Sequence, residues 1–404
     1  GSGHTSDYRG VTIHDFGAGP SSVSYAIVDH VVVLSNHPIG LTPVIDVSEG
    51  TTQAIVDDPT FLNTMSSLPE GRLGLAYVNP TEIVNEAFPG GLGAAMGAAP
   101  GLDMLHAVRG IGATLSAYPD GLAFDVAVRL DPSKLDPATL RQLDQPVHEN
   151  AMLGFVPADS YLLAAQQGLN ESLKRAVDQL LATPEGERMR QRLGVDDTLA
   201  ALTGDLALQI GPGPGLAPVG GAILIGVTDG SAVERTLDGL ADLALAAWRP
   251  VGPIVPALGD LSTPSSELTV NDVPRARWRT STYQGATIRY LDDPSISSTG
   301  LLPAYTVVDG AAIIGSSPGV IRTMLDTRAG SEPNITASSA YRRAIARVPE
   351  GGTTLYVDVA SIVSRFESQL PPDVASNIDP FKTVVQGTSN SSSLITYRLF
   401  IEIR

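Results

Sequence analysis

Gly315-Ser-Ser-Pro-Gly319 fits the G-x-S-x-G pattern, in which a strand-to-helix turn presents a serine, here Ser317, as a nucleophile. Such a serine needs a histidine to accept its proton, and no histidine follows His148. The matching stretch earlier in the chain, Ser35-Asn-His-Pro-Ile39, lacks the serine and both glycines. A helix start accounts for the same residues, with Ser316 or Ser317 as cap and Pro318 in the first turn. The histidines are His4, His14, His30, His37, His106 and His148, and no pair has the H-E-x-x-H spacing of a zinc hydrolase. His14, His30 and His37 meet as metal ligands only if their strands are neighbours; a turn and a helix start explain His30 and His37 without a metal. Asp29, Asp309, Asn79 and Asp358 fall at strand ends, where turn formation and capping suffice. As an acid–base pair they would need a shared cleft that drives their pKa values apart. Gly211-Pro-Gly-Pro-Gly215 lacks the Lys-Ser/Thr ending of a phosphate loop, and its prolines remove amide donors. We therefore expect no catalytic residue, no metal and no cofactor.

The elements that carry these residues come in duplicate. Thr5-Ser-Asp-Tyr-Arg-Gly10 returns as Thr280-Ser-Thr-Tyr-Gln-Gly285, and Tyr25-Ala-Ile-Val-Asp-His30 as Tyr305-Thr-Val-Val-Asp-Gly310. Pro69-Glu-Gly71 with Tyr77-Val-Asn79 returns as Pro349-Glu-Gly351 with Tyr356-Val-Asp358. Matched residues in matched order imply one structural unit used twice. In each copy two β-branched runs flank a tight turn at Asp29-His30 or Asp309-Gly310. A helix follows over 320–325, then a second over 340–348, a strand over 353–359 and a helix over 360–366. Closing hairpins are expected at 113–117 with 122–130, and at 384–388 with 394–403.

Between the copies, 155–165, 205–210 and 219–227 read as strands, and 169–181, 185–193, 197–202 and 231–247 as helices. The fold class is α+β, with duplicated modules of mostly antiparallel sheet covered by helices on one face. The expected organisation is a partial first module over 1–132, a linker over 133–149 and a complete second module over 150–404. That module has a front half over 150–270 and a back half over 271–404 repeating 1–132. The front half of the first module would lie upstream or be absent, which leaves a sheet edge in need of a cover.

Composition sets the outer limits. The 404 residues are 43% hydrophobic but only 5% aromatic, so aliphatic side chains must build the cores. A net charge of −17 excludes nucleic-acid backbones and anionic membrane surfaces as electrostatic partners. The absence of cysteine excludes disulfides, thiolate metal sites and a cysteine nucleophile. No run approaches the ~20 apolar residues of a membrane span.

Phe155-Val-Pro-Ala-Asp159, Leu202-Thr-Gly-Asp205, Tyr283-Gln-Gly285, Tyr305-Thr-Val-Val-Asp-Gly310 and Ile314-Gly-Ser-Ser-Pro318 resemble the DUF3352 family of bacterial proteins. The resemblance covers the second module and the back half of the first. It implies an exported or membrane-anchored protein with an anchor upstream, and it brings no catalytic residues.

The two copies differ most where Phe88–Gly101 is small and apolar and its counterpart Glu367–Asn377 is polar. A second apolar loop runs from Trp248 to Leu258. Phe88, Leu92, Met96, Leu102 and Met104, with Trp248, Val251, Ile254, Val255 and Leu258, are thus the expected binding residues. The expected function is non-enzymatic: an extracytoplasmic protein that binds a protein partner, its own copies or an apolar, lipid-like molecule. A serine or carboxylate hydrolase and a structural envelope spacer are the alternatives.

Overall fold

The computed structural model describes residues 3–16, 23–80, 102–215, 217–247, 276–293, 296 and 300–404. Contacts divide the chain into two compact units, Gly1–Ser67 and Leu68–Arg404.

The first unit is an antiparallel four-stranded sheet in the order β1(His4–Tyr8), β2(Val11–Phe16), β3(Val23–Val28), β4(Val31–Ser35). A 3-10 turn at Pro38–Leu41 leads into helix α1(Thr42–Ser48), and α2(Pro59–Met65) follows. The tight hairpins have left-handed backbone at both turn residues, Arg9 and Gly10 in one and Asp29 and His30 in the other. Such turns match the right-handed twist of the flanking strands. The core lies on one side of the sheet: Ile13, Ala26 and Val28 pack on Leu41 and Ile45.

The second unit is built on one sheet in the order β11-β12-β13-β14-β10-β9-β8-β15-β16-β17-β7-β6-β5. In chain order it begins with β5(Gly74–Val78), helix α3(Leu102–Ala107), β6(Val108–Tyr118), β7(Gly121–Leu130) and α4(Pro137–Leu143). Next come β8(Leu162–Gln166), α5(Asn170–Leu180), α6(Pro184–Leu193), α7(Val195–Ala201), β9(Leu202–Pro212), β10(Val219–Val227) and α8(Gly230–Ala247). The last part holds β11(Arg277–Tyr283), β12(Ala286–Asp292), β13(Ala304–Val308), β14(Ala311–Gly315), α9(Pro318–Arg328) and α10(Ser339–Ile345). It closes with β15(Thr353–Asp358), α11(Val359–Phe366), α12(Pro372–Ile378), β16(Phe381–Asn390) and β17(Leu394–Ile403). Every pairing is antiparallel.

The element order of β1 to α2 recurs from β11 to α10, and its local chemistry recurs with it. Gln284-Gly285 and Asp309-Gly310 repeat the left-handed turn pairs. His14 pairs with Tyr25 in one sheet, and Arg289 with Tyr305 in the other. The Tyr8 hydroxyl donates to Asp46 as the Tyr283 hydroxyl donates to Asp326. Buried Leu41 and Ile45 answer to buried Ile321 and Leu325.

Two local expectations change. Residues 155–165 are not one strand: a 3-10 turn over Ala151–Phe155 precedes β8. Met152, Phe155 and Val156 serve there as apolar plugs in the main core rather than as sheet residues. Helices also lie on both faces of the sheet over β13 and β14, not on one. Ala312 faces the cluster of Ala232 and Val233 on α8, whereas Ile313 faces Ile321 and Met324 on α9. Consecutive strand residues point to opposite faces, so both faces of β14 are covered.

Candidate binding face

Strand β4 occupies the place in the first unit that β14 occupies in the second. Residue by residue, Val32 answers to Ala312, Val33 to Ile313 and Leu34 to Ile314; on the neighbouring strand Ile27 answers to Val307 and Tyr25 to Tyr305. Beyond β14 lies β10, whose Ala222–Gly226 pairs with Ala311–Gly315. Beyond β4 no strand follows among the described residues, so its outer row of N–H and C=O groups forms a sheet edge.

The outer face differs in the same way. On the second unit α8 lies over it: Ala232, Val233 and Leu237 pack against Ala312 and Val307. The Tyr305 hydroxyl donates to Asp238 at 2.5 Å, Arg289 reaches Asp238 and Asp242 at 2.8 Å each, and the Trp278 indole donates to the Ala241 carbonyl at 3.0 Å. Burial first, and then the Asp238 hydrogen bond, push the Tyr305 phenol well above its ordinary pKa. On the first unit the equivalent face is open. Ile27 and Val32 are 61% exposed and Leu34 70%, whereas Ala312 is fully buried. Phe16 and Val23 extend the patch, and Tyr25 stacks between Phe16 and His14 with centroids 5.9 and 4.6 Å away. Burying a side chain of this size contributes about 1.5–3 kcal/mol, so the patch is a large unspent driving force.

Phe88, Leu92, Met96, Trp248, Val251, Ile254, Val255 and Leu258 lie outside the described residues, and Leu102 is placed by its backbone in α3. Met104, half-buried, packs on the cluster of Ala107, Val108, Leu130, Leu135 and Leu143 and lines a cavity of about 210 Å³ with Gln142 and Arg175.

The candidate chemistry resolves into local structure. Ser317 is buried and its hydroxyl accepts from the Val320 amide at 3.3 Å as the cap of α9, while the Ser316 hydroxyl accepts from the Gly221 amide. His37 caps the turn after β4 through Nδ1, which accepts from the Ile39 amide, and His30 completes a hairpin turn. Asp358 caps α11 by accepting from the Ser361 amide. Among the described residues no three His, Asp or Glu side chains gather as a metal would require.

Sequence reasoning missed one polar pair. His148 Nε2 lies 2.7 Å from Oδ1 of buried Asp205, whose Oδ2 accepts from the Ala151 amide. His148 also lines a cavity of about 430 Å³ with Asn150, Tyr341, Glu350 and Thr354. The residues lie 57 apart in sequence, so no local spacing announces them. The reciprocal bonds between Gln167 and the His148 backbone show the pair's work: they fasten the segment before Asn150 to the sheet.

Fold and face together define an α+β protein with an internal repeat, in which one copy presents an open sheet face. The chain belongs to the DUF3352 family, described as protein of unknown function, whose model matches residues 2–248. Of the motifs that carried the resemblance, Phe155–Asp159 and Leu202–Asp205 lie inside that match, and those from Tyr283 onward lie beyond it. No curated protein matches the chain. Solved structures of TP0453 in crystal forms IV, III and I are similar to it at 8%, 9% and 9% identity. They cover 60%, 62% and 63% of this chain and 76%, 92% and 92% of their own. Their TM-scores, 0.29, 0.30 and 0.30, are too low to carry an argument about this molecule. Among the described residues no helix is long and apolar enough to cross a membrane.

Proposed function

We propose that this chain is a non-enzymatic binding protein of the bacterial cell envelope, and that the open face and edge of its first unit receive a protein partner. One observation carries the reading: Ile27 and Val32 are exposed where their counterparts Val307 and Ala312 pack under α8. A protein suits the site better than a lipid-like molecule, because the β4 edge offers backbone donors and acceptors that a hydrocarbon chain leaves unsatisfied. Self-association through the same edge is the nearest variant. The extracytoplasmic placement is supported by the family resemblance, which implies an exported protein.

The test is native mass spectrometry of full-length chain isolated gently from a bacterial host, beside an Ile27→Lys/Val32→Lys variant. A stoichiometric protein, or a second copy, retained by the parent and lost by the variant is the expected outcome. A lipid retained in the same pattern would replace the protein partner with a lipid. Hydrolysis of model esters that disappears in Ser317→Ala or His148→Ala would overturn the non-enzymatic reading.

A further inference from the structure

The covered copy specifies what the open copy lacks. In the second unit a single short stretch, Val219–Ala247, performs both tasks: β10 extends the sheet beside β14, and two residues later α8 turns back over the outer face. Asp229 enforces that reversal, since its Oδ1 accepts from the Ser231 and Ala232 amides at the helix start. Asp238 and Asp242 stand one helical turn apart, so both carboxylates meet the same sheet face.

We infer that the first unit docks a polypeptide segment of this design: a β-strand laid antiparallel along β4, then a tight reversal into an amphipathic helix across Tyr25, Ile27, Val32 and Leu34. This rests on the proposed binding function and names the partner's form. Three features of the first unit call for it. The β4 edge has backbone groups to pair, as β14 has with β10. The outer face is apolar where α8 lays Ala232, Val233 and Leu237. At its centre stand Tyr25 and His14, in the places of Tyr305 and Arg289, which in the covered copy grip the helix carboxylates. The Tyr25 hydroxyl forms no hydrogen bond among the described residues, so a carboxylate on the incoming helix would find a donor there.

The other face agrees independently. Met324 and Ile335 are buried under Met152, Phe155 and Val156, and the Ile335 amide donates to the Val156 carbonyl at 2.7 Å. Their counterparts in the first unit, Val44 and Ile55, are 40% and 53% exposed. In the second unit residues 152–156 fill this inner place and 219–247 fill the edge and the outer face. The open places of the first unit therefore match polypeptide, whereas a hydrocarbon chain would leave the β4 backbone groups unsatisfied.

The full chain itself supplies the probe. A synthetic peptide of Val219–Ala247 is titrated onto the full-length protein, and hydrogen exchange is followed by mass spectrometry. The expected result is saturable slowing of exchange over Val31–Ser35, abolished in a Val32→Lys/Leu34→Lys chain. Binding roughly tenfold weaker is expected for a peptide carrying Asp238→Asn and Asp242→Asn, from the loss of charge-assisted hydrogen bonds. Slowing confined to 276–315 means that the peptide exchanges into the covered copy and overturns the inference. Slowing by phosphatidylcholine vesicles but not by peptide also overturns it, while leaving a binding function intact. Slowing by neither overturns both.

Discussion

His30 stands at φ 69° in a hairpin whose counterpart in the second unit places Gly310 at φ 76°. A side chain in that left-handed region costs roughly 1 kcal/mol that glycine avoids, partly offset by the greater freedom glycine loses on folding. His30→Gly is therefore expected to stabilise the first unit by up to about 1 kcal/mol, read from urea unfolding monitored through exchange of the β3 and β4 amides. Ser317 illustrates the opposite case, a residue with a suggestive motif and a structural task. Removing its cap in Ser317→Ala should cost about 1 kcal/mol of stability in the second unit. A fluorophosphonate probe should label parent and variant equally weakly; selective labelling of the parent would revive a nucleophilic role.

At the scale of elements, Tyr305 ties helix α8 to β13. Its phenol is held protonated by burial and by donation to Asp238, so its folded pKa lies above the unfolded value near 10. A raised folded pKa contributes stability that is fully present below the unfolded pKa and is lost as pH rises through the folded one. Tyr305→Phe is expected to cost about 1.5–3 kcal/mol at neutral pH and to flatten the decline in stability above pH 10. Denaturant titrations at pH 7 and pH 10.5 on both proteins check this. Much at this scale was legible in sequence: the α8 pattern, the Asp-Gly hairpin, the Ser-Pro helix start and β10 needed only local chemistry. The face that α8 covers was not legible, because Asp238, Arg289 and Trp278 are joined by folding and not by spacing. The open face was hidden for a related reason. Val31-Val-Val-Leu34 reads as one more β-branched strand, and only its counterpart under α8 marks out a face that no helix covers among the described residues.

For the whole molecule, the division into two units turns the open face into a thermodynamic handle. The first unit buries few large side chains, its core being Ile13, Ala26, Val28, Leu41 and Ile45. A domain of this size buries a smaller fraction of its chain surface than a large one does and is marginal on its own. The main core of the second unit is broader, running from Phe155 and Leu163 through Ile313 and Met324 to Tyr356 and Phe400. The amides of β1 to β4 should accordingly exchange by a lower-energy opening than those of β9 and β10. A partner that binds only the folded first unit raises its opening free energy by RT ln(1 + [L]/Kd), about 2.7 kcal/mol at a hundredfold excess over Kd. The signature is selective: exchange slows across all four strands of the first unit, and β9 and β10 stay unchanged. Uniform slowing across both sheets would mean that the ligand acts on the molecule at large, and the open face would lose its claim to be the binding site.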